Sequence, residues 1–405
     1  MHAETGNLQI LFILSVGFTF ASILGYLSNR LNLSPFLGYL LAGYLIGPYS
    51  PGYVADLHLS EQLAEIGVVL MMFGVGLHFK WQDLVNVKYI AITGAVGQTF
   101  VAATLGAWLI YSLGWSIEAG VVFGLGIGVA STVVLVSMLS ENKLLNSPQG
   151  HVAIGWLLVE DIITIFVLLF IPTLAAFAKG NGPGMQQIGI DIAAVLLKFG
   201  LLIALVFTIG RKVVAYVLAK VALTKSHELF TLTILALTFA IASGASVAFG
   251  TSIALGAFIA GMVIGQTDLR QQVSKSTEPL KDTFLVIFFL SIGMLFNPSV
   301  IGEHLLLVLG VLLIIIVAKP LTAFLIVVIM RHPLKTALTV SVALAQIGEF
   351  SFILAEEAMR NDILPDVGYD VIIACAIVSI AVNPILFKVV KPFIISKKEG
   401  AESEL

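Results

Sequence analysis

The sequence predicts an all-α polytopic membrane protein with about 13 transmembrane helices, organised as two inverted six-helix repeats joined by a linking helix. Three observations lead to this prediction: the scarcity of charge, the recurrence of apolar runs long enough to span a bilayer, and an internal repeat. Of the 405 residues, 59% are hydrophobic and only 11% are charged, whereas a soluble domain carries roughly 25% charged residues. Lipid must therefore contact most of the surface, and neither a soluble enzyme nor a nucleic-acid partner is expected.

Apolar runs of the length needed to cross a bilayer, about 20 residues, recur from one end of the chain to the other. The first run lacks the basic segment and cleavage site of a signal peptide, so it is interpreted as a span. The single cysteine, Cys375, lies in an apolar run and is interpreted as a core residue. The predicted spans are 8–29, 34–47, 62–79, 89–113, 117–140, 150–178, 188–210, 227–249, 252–265, 280–296, 304–330, 335–359 and 369–390.

The distribution of basic residues predicts the orientation of these spans. If the N-terminus is outside, all but four of the 21 Lys and Arg residues fall on the cytoplasmic side; Lys179 and Arg360 fall outside, and Lys198 and Lys319 lie within spans. Cytoplasmic loops are enriched in Lys and Arg. The sequence thus predicts a multi-pass protein of the cell inner (plasma) membrane, with its N-terminus outside and its C-terminus in the cytoplasm.

An internal repeat relates the two halves of the chain. The segment SPFLGYLLAGYLIG at 34–47 matches SIALGAFIAGMVIG at 252–265, and 63–79 matches 280–296 with an offset of 217. An even number of spans in each copy and one linking span would invert the second copy, which is the pattern of secondary transporters. Within a transmembrane domain at 1–400, we place repeat one at about 8–178, the linking helix at about 188–225, and repeat two at about 227–395. A polar cytoplasmic tail follows at 396–405.

Two spans in equivalent places of the repeats are predicted to be broken. They contain GLGIGVASTVV at 124–134 and VALAQIGEFSF at 342–352. Gly, Ser and Thr weaken the helical ladder, and non-helical backbone at membrane depth is tolerated only where protein or water covers it. Ordinary packing of small residues is the alternative interpretation of either segment alone. A nucleotide-binding loop is excluded because no strand precedes the glycines.

Glu160 and Asp161 lie side by side in the hydrophobic span GWLLVEDIITIF, 155–166. A charge at the centre of a span costs roughly 2.5–3.5 kcal/mol, so such residues are functional by default. Adjacent helical residues point about 100° apart, so the two carboxylates face different surroundings. We expect Lys319 to pair with Glu160 and to leave Asp161 for ion exchange. A purely architectural Glu–Lys pair is the alternative.

A buried aspartate can exchange ions because a proton and a monovalent cation compete for the same oxygens. Each ligand neutralises the site, which makes movement of the site across the membrane cheap, whereas the empty anion is costly to move. Ser131, Thr132 and nearby carbonyls are predicted to complete the cation's shell. Glu349, in the other broken helix, is predicted to compensate helix-end dipoles or to line the cytoplasmic funnel rather than to bind the ion.

Five segments together resemble the monovalent cation:proton antiporter-2 family, in its Kef-type potassium/proton branch. They are LGYLLAGYLIGP at 37–48, AEIGVVLMMFGVGL at 64–77, ASTVVLVSMLSE at 130–141, WLLVEDI at 156–162 and AQIGEFSFILAE at 345–356. The resemblance implies the sodium/proton-antiporter fold, with a dimerisation domain, a core domain with crossed broken helices, and an elevator-like movement of that core.

The resemblance also implies roles for single residues. Asp161 resembles the essential ion-binding aspartate of the family, Glu160 the variable residue before it, and Lys319 the buried basic residue that pairs nearby. Family potassium exporters carry Gln at the position of Glu160, and electrogenic sodium exchangers carry Asp. Glu160 matches neither pattern, so this position does not select the ion. The resemblance to the Kef-type branch implies K⁺ exchange first, with Na⁺/H⁺ exchange as the alternative.

Partners and cofactors are expected from the same resemblance. We expect a homodimer in membrane lipid, with no cofactor besides the transported K⁺ or Na⁺ and H⁺. Kef-type proteins commonly continue into a cytoplasmic nucleotide-binding regulatory domain, and no segment of this chain resembles one.

Two other function classes fit the sequence less well. A cation channel is disfavoured because a buried acid and lysine suit occlusion better than conduction. An intramembrane aspartyl protease needs a second mid-span Asp to share a proton with Asp161, and none is found in the sequence.

Overall fold

The computed structural model describes residues 9–31, 33–50, 57–78, 81–178, 185–249 and 253–394. Regular structure in these segments is helical throughout. The helices are α1 Gln9–Arg30, α2 Pro35–Ile46, α3 Leu57–His78, α4 Trp81–Ser112, α5 Ile117–Gly128, α6 Thr132–Glu141, α7 Pro148–Ala178, α8 Met185–Leu205, α9 Arg211–Ala222, α10 His227–Phe249, α11 Ile253–Gly265, α12 Arg270–Met294, α13 Ser299–Glu303, α14 Leu305–Leu313, α15 Lys319–Ile329, α16 Leu334–Ala343, α17 Glu349–Arg360 and α18 Asp366–Ile394.

Each predicted span overlaps one of these helices or a consecutive pair of them. Short π-helical segments at Val206–Gly210 and Ile314–Ala318 join α8 to α9 and α14 to α15. Within the described residues, seven helical segments are long and apolar enough to cross a bilayer. The all-helical membrane architecture is therefore confirmed, while the count of 13 crossings stays a prediction. The predicted cytoplasmic tail at 396–405 lies outside the described residues.

The chain forms two compact units, and each takes segments from both halves of the sequence. The first contains Met1–Tyr26, Gly38–Asp83 and Pro183–Leu295, and the second contains Leu27–Leu37, Leu84–Gly182 and Phe296–Leu405. The first unit thus holds α2, α3 and α8 to α12. The second holds the two broken spans together with α7 and α15, which carry the buried charges.

Close glycine contacts bind the helices of the first unit, because a Cβ at these positions would collide with backbone. Four such glycines each meet a carbonyl oxygen on a crossing helix: Gly43 meets Leu290, Gly261 meets Phe73, Gly293 meets Leu40, and Gly76 meets Phe258. The second contact reproduces the first, and the fourth reproduces the third, at offsets of 217 and 218. The offset found in the sequence therefore relates equivalent helix–helix contacts as well as matching residues.

The two predicted helix breaks are confirmed in the second unit. The first span is interrupted between α5 and α6, where Val129 and Ser131 have extended backbone. The Ser131 hydroxyl accepts a hydrogen bond from the Val134 amide and so caps the N-terminus of α6. The second span is interrupted between α16 and α17, where Gly348 is extended.

Candidate functional site

The two helix breaks contact each other inside the second unit. The Ser131 amide donates to Gln346 Oε1 at 2.7 Å, and Gln346 Nε2 donates back to the Ser131 carbonyl at 3.1 Å. Gly348 lies so close that a Cβ on it would collide with the Ser131 side chain. The side chain of Gln346 thus binds both backbone polar groups of Ser131. These two bonds fix the position of one break relative to the other.

Glu160 holds the start of α6 through its carboxylate. It is fully buried on α7. Its Oε2 accepts from the Ala130 amide at 2.9 Å, and its Oε1 accepts from Trp156 Nε1 at 3.1 Å. Hydrogen bonds to a charged group are the strong ones, and an anion at a helix N-terminus is further stabilised by the helix dipole.

Lys319 binds the second break, and it does so with a positive charge where Glu160 uses a negative one. It is 1% exposed at the start of α15, and its Nζ donates to the Gln346 carbonyl at 3.0 Å, just beyond the C-terminus of α16. A cation there complements the negative end of the helix dipole. We expected a direct Glu160–Lys319 pair. The two charges do interact electrostatically, but the hydrogen bonds described for each go to other groups.

Neutral side chains bind further backbone groups in and beside the breaks. This set joins α4, α17 and α18 to the two breaks, and its members are fully buried. Gln98 donates to the Gly128 carbonyl at 2.9 Å, Ser351 to the Gly126 carbonyl at 2.7 Å, and Asn383 to the Val342 carbonyl at 2.7 Å, while Ser379 accepts from the Ile347 amide at 3.4 Å. These backbone groups are thereby paired with protein groups, as the low dielectric requires.

Asp161 is 1% exposed and follows Glu160 on α7. Of the two predicted hydroxyl ligands, Ser131 uses its oxygen as the cap of α6. The Oγ1 of Thr132, the first residue of α6, is buried without a hydrogen-bond partner among the described residues. Thr132 is therefore the better candidate to supply a hydroxyl oxygen to an ion.

One predicted site residue, Glu349, and three residues that the sequence did not reveal complete the description of the breaks. Glu349 is the first residue of α17, where an acid suits the helix dipole, but its side chain lies outside the described residues. Gln98, Trp156 and Gln346 were not identified from the sequence. Gln98 and Gln346 could have been found as polar side chains within apolar spans, because such groups are expensive unless bonded.

Comparison with known proteins gives a consistent match over most of the chain. A family model described as sodium/hydrogen exchanger, transmembrane, matches residues 18–390. A protein of Escherichia coli K12 named cation/proton antiporter YbaL is 46% identical over 388 residues, which make up 96% of this chain and 69% of that protein. K(+) efflux antiporter 4 of Arabidopsis thaliana is 29% identical over 355 residues, or 87% of this chain and 59% of that protein.

Among solved structures, the sodium proton antiporter MjNhaP1 from Methanocaldococcus jannaschii at pH 8 is similar over nearly its full length. The TM-score is 0.66 at 18% identity, and the match covers 96% of this chain and 97% of that chain. At this identity the likeness establishes the fold alone. It confirms the predicted fold class.

Proposed function

Because the chain belongs to the sodium/hydrogen exchanger family, we propose that it is a secondary active antiporter that exchanges a monovalent cation for protons at Asp161. The single observation that carries this proposal is a carboxylate, Asp161, that is 1% exposed within an apolar helix and adjoins Glu160, whose own carboxylate is bonded to the first helix break. Both oxygens of Glu160 are occupied by N–H donors that hold the first helix break. Glu160 is therefore the fixed charge of the site, and the exchange is proposed at its buried neighbour Asp161.

The exchange follows from electrostatics at one carboxylate. A proton or a monovalent cation neutralises Asp161, and the neutral site crosses the membrane at low cost, whereas the empty anion does not. The two ligands compete for the same oxygens, so the site carries one or the other. Competition at this single carboxylate is therefore sufficient to couple the cation flux to the proton flux.

The proposed cation shell uses oxygen atoms of the first break. The Asp161 carboxylate provides the charge, Thr132 Oγ1 a hydroxyl oxygen, and the carbonyls of Val129 and Ala130 neutral dipoles. Oxygen ligands suit alkali cations, and backbone carbonyls can replace the hydration shell of K⁺. The extended backbone at Val129 supports this role, since helical carbonyls would be taken by the helix ladder.

We propose K⁺ as the first transported cation and Na⁺ as the alternative. The relatives named K(+) efflux antiporters support K⁺, whereas the related solved structure is named a sodium proton antiporter. Elevator-type movement of the second unit is proposed from the family resemblance. The recurrence of glycine contacts at offsets of 217 and 218 supports the inverted repeat on which that movement depends.

Homodimerisation and an orientation with the N-terminus outside are part of the same proposal. The bias of Lys and Arg toward one side supports the orientation. This chain spans 69% and 59% of the length of these two relatives, YbaL and K(+) efflux antiporter 4.

Proteoliposomes with a trapped pH dye test the proposal. Addition of K⁺, Na⁺, Li⁺ or Rb⁺ should change the lumenal pH with the membrane potential clamped, and the apparent KM should vary with pH because H⁺ competes for the site. A cation channel, the second candidate function, would produce no cation-driven pH change under the clamp. That result would refute antiport.

A further inference from the structure

A closed ring of hydrogen bonds spans the first helix break. Its first hydrogen bond joins Gln98 Nε2 to the backbone carbonyl of Gly128, at 2.9 Å. Trp156 Nε1 lies 3.3 Å from Gln98 Oε1 and 3.1 Å from Glu160 Oε1, and donates to both. The ring returns to the backbone at Ala130, whose amide donates to Glu160 Oε2 at 2.9 Å. Only Val129 lies between the two ends.

The ring is rigid because its side chains are fully enclosed. Gln98, Trp156 and Glu160 are each 0% exposed. The indole of Trp156 lies directly against Gly94 of α4, where an added Cβ would collide with three carbon atoms of the indole. The position of the indole N–H is thus set by close packing, and the carboxylate must meet it there.

The chemistry of the partners restricts what can stand at position 160. An indole N–H and a backbone N–H can only donate. The carboxylate of Glu160 faces one of each, so the position requires two acceptor oxygens. An amide at this position offers one oxygen and one NH₂, and the NH₂ would oppose a donor.

We infer that Gln98 and Trp156 are positioning residues for ion exchange: through the Glu160 carboxylate they hold the first helix break, where Val129 is extended, in the form whose carbonyl oxygens the proposed cation site uses. This inference rests on the proposed function. A different role, in which Trp156 only fills volume in the core, would depend on the indole's size and not on its N–H.

Trp156→Phe separates these roles because it keeps an aromatic ring and removes the N–H. We expect a rise of about 10–100-fold in the KM for the cation, as for loss of one charge-assisted hydrogen bond, with a smaller change in kcat. Gln98→Met should act in the same direction. Trp108→Phe, an identical change at a side chain that is 67% exposed, is the matched control and should leave KM unchanged.

A double-variant cycle gives a result that pure packing would not produce. Glu160→Gln alone places its NH₂ against a donor. In the Trp156→Phe background that donor is gone, so we expect Glu160→Gln to cost less there, and the double variant to exchange at least about threefold faster than Glu160→Gln alone. Thermal unfolding in detergent should show the same order and requires no transport.

Independent, additive effects of the two substitutions would overturn the inference, as would an unchanged KM in Trp156→Phe. Either result, obtained while the unmodified protein exchanges cations for protons, leaves the proposed function standing. Absence of exchange in the unmodified protein would instead refute the proposed function.

Discussion

The side-chain amide of Gln346 binds both backbone polar groups of Ser131, a residue 215 positions earlier in the chain. It accepts from the Ser131 amide and donates to the Ser131 carbonyl, while the backbone carbonyl of Gln346 accepts from Lys319. The two broken helices are therefore joined through one residue, and the buried lysine is joined to the same residue. Disturbing this residue should affect both breaks together.

Gln346→Glu tests this link with a nearly isosteric change. The carboxylate keeps an acceptor for the Ser131 amide but places an oxygen against the Ser131 carbonyl, so we expect a loss of about 1–3 kcal/mol in the free energy of unfolding. Thermal unfolding in detergent measures it. Gln271→Glu makes the same change at an exposed position and should have little effect; equal melting temperatures for the two variants would contradict the link.

Gly348→Ala tests the close approach of the breaks. An alanine Cβ would collide with the Ser131 side chain, and since Gly348 is extended, the effect is steric and not one of backbone preference. We expect lower thermal stability and reduced exchange, by an amount of about 1–3 kcal/mol typical of overpacking. Gly302→Ala is the control, because that glycine has nothing within 4 Å of an added Cβ. Tolerance of both changes would mean that the breaks are not in tight contact.

Removal of the Lys319 charge should destabilise the second break. Lys319→Met leaves the buried Gln346 carbonyl without its cationic donor, and leaving a buried polar group unsatisfied costs about 1–3 kcal/mol. Lys198→Met, at an exposed position in α8, serves as the control in the same thermal unfolding assay. A Lys319→Met protein as stable as Lys198→Met would show that the buried charge does not support the fold.

Two adjacent hydroxyls should respond differently to removal. Thr132→Val deletes an oxygen that has no hydrogen-bond partner among the described residues, so we expect a higher KM for the cation with unchanged melting temperature. Ser131→Ala deletes the cap of α6 and should lower stability by about 1 kcal/mol. Initial rates of exchange give the KM of each variant, and thermal unfolding in detergent gives its stability. If the pattern is reversed, Ser131 is the ligand and Thr132 is not.

Much of the fold follows from the sequence because bilayer thickness and hydrophobicity determine where spans begin and end. The two helix breaks were also predictable, since Gly, Ser and Thr cluster at 124–134 and 342–352. Burial of Glu160, Asp161 and Lys319 was predicted from their place in apolar spans and is confirmed.

The partners of these charges were not predictable. Span periodicity does not specify which side chain reaches which break, so the roles of Gln98 and Gln346 emerge only from three-dimensional contacts. The direct Glu160–Lys319 pair was expected because opposite charges attract. In the structure each charge instead binds backbone at a helix break, since unsatisfied backbone in a low-dielectric interior also demands a partner.

The most direct test of the central claim is the initial rate of cation/proton exchange in proteoliposomes containing Asp161→Asn. We predict that exchange falls to the level of empty liposomes while the variant elutes and melts as a folded protein, and that Asp268→Asn, the same change at an exposed position, retains the unmodified rate. Cation-driven proton movement that persists in folded Asp161→Asn protein would contradict the claim that this carboxylate carries the exchanged ions.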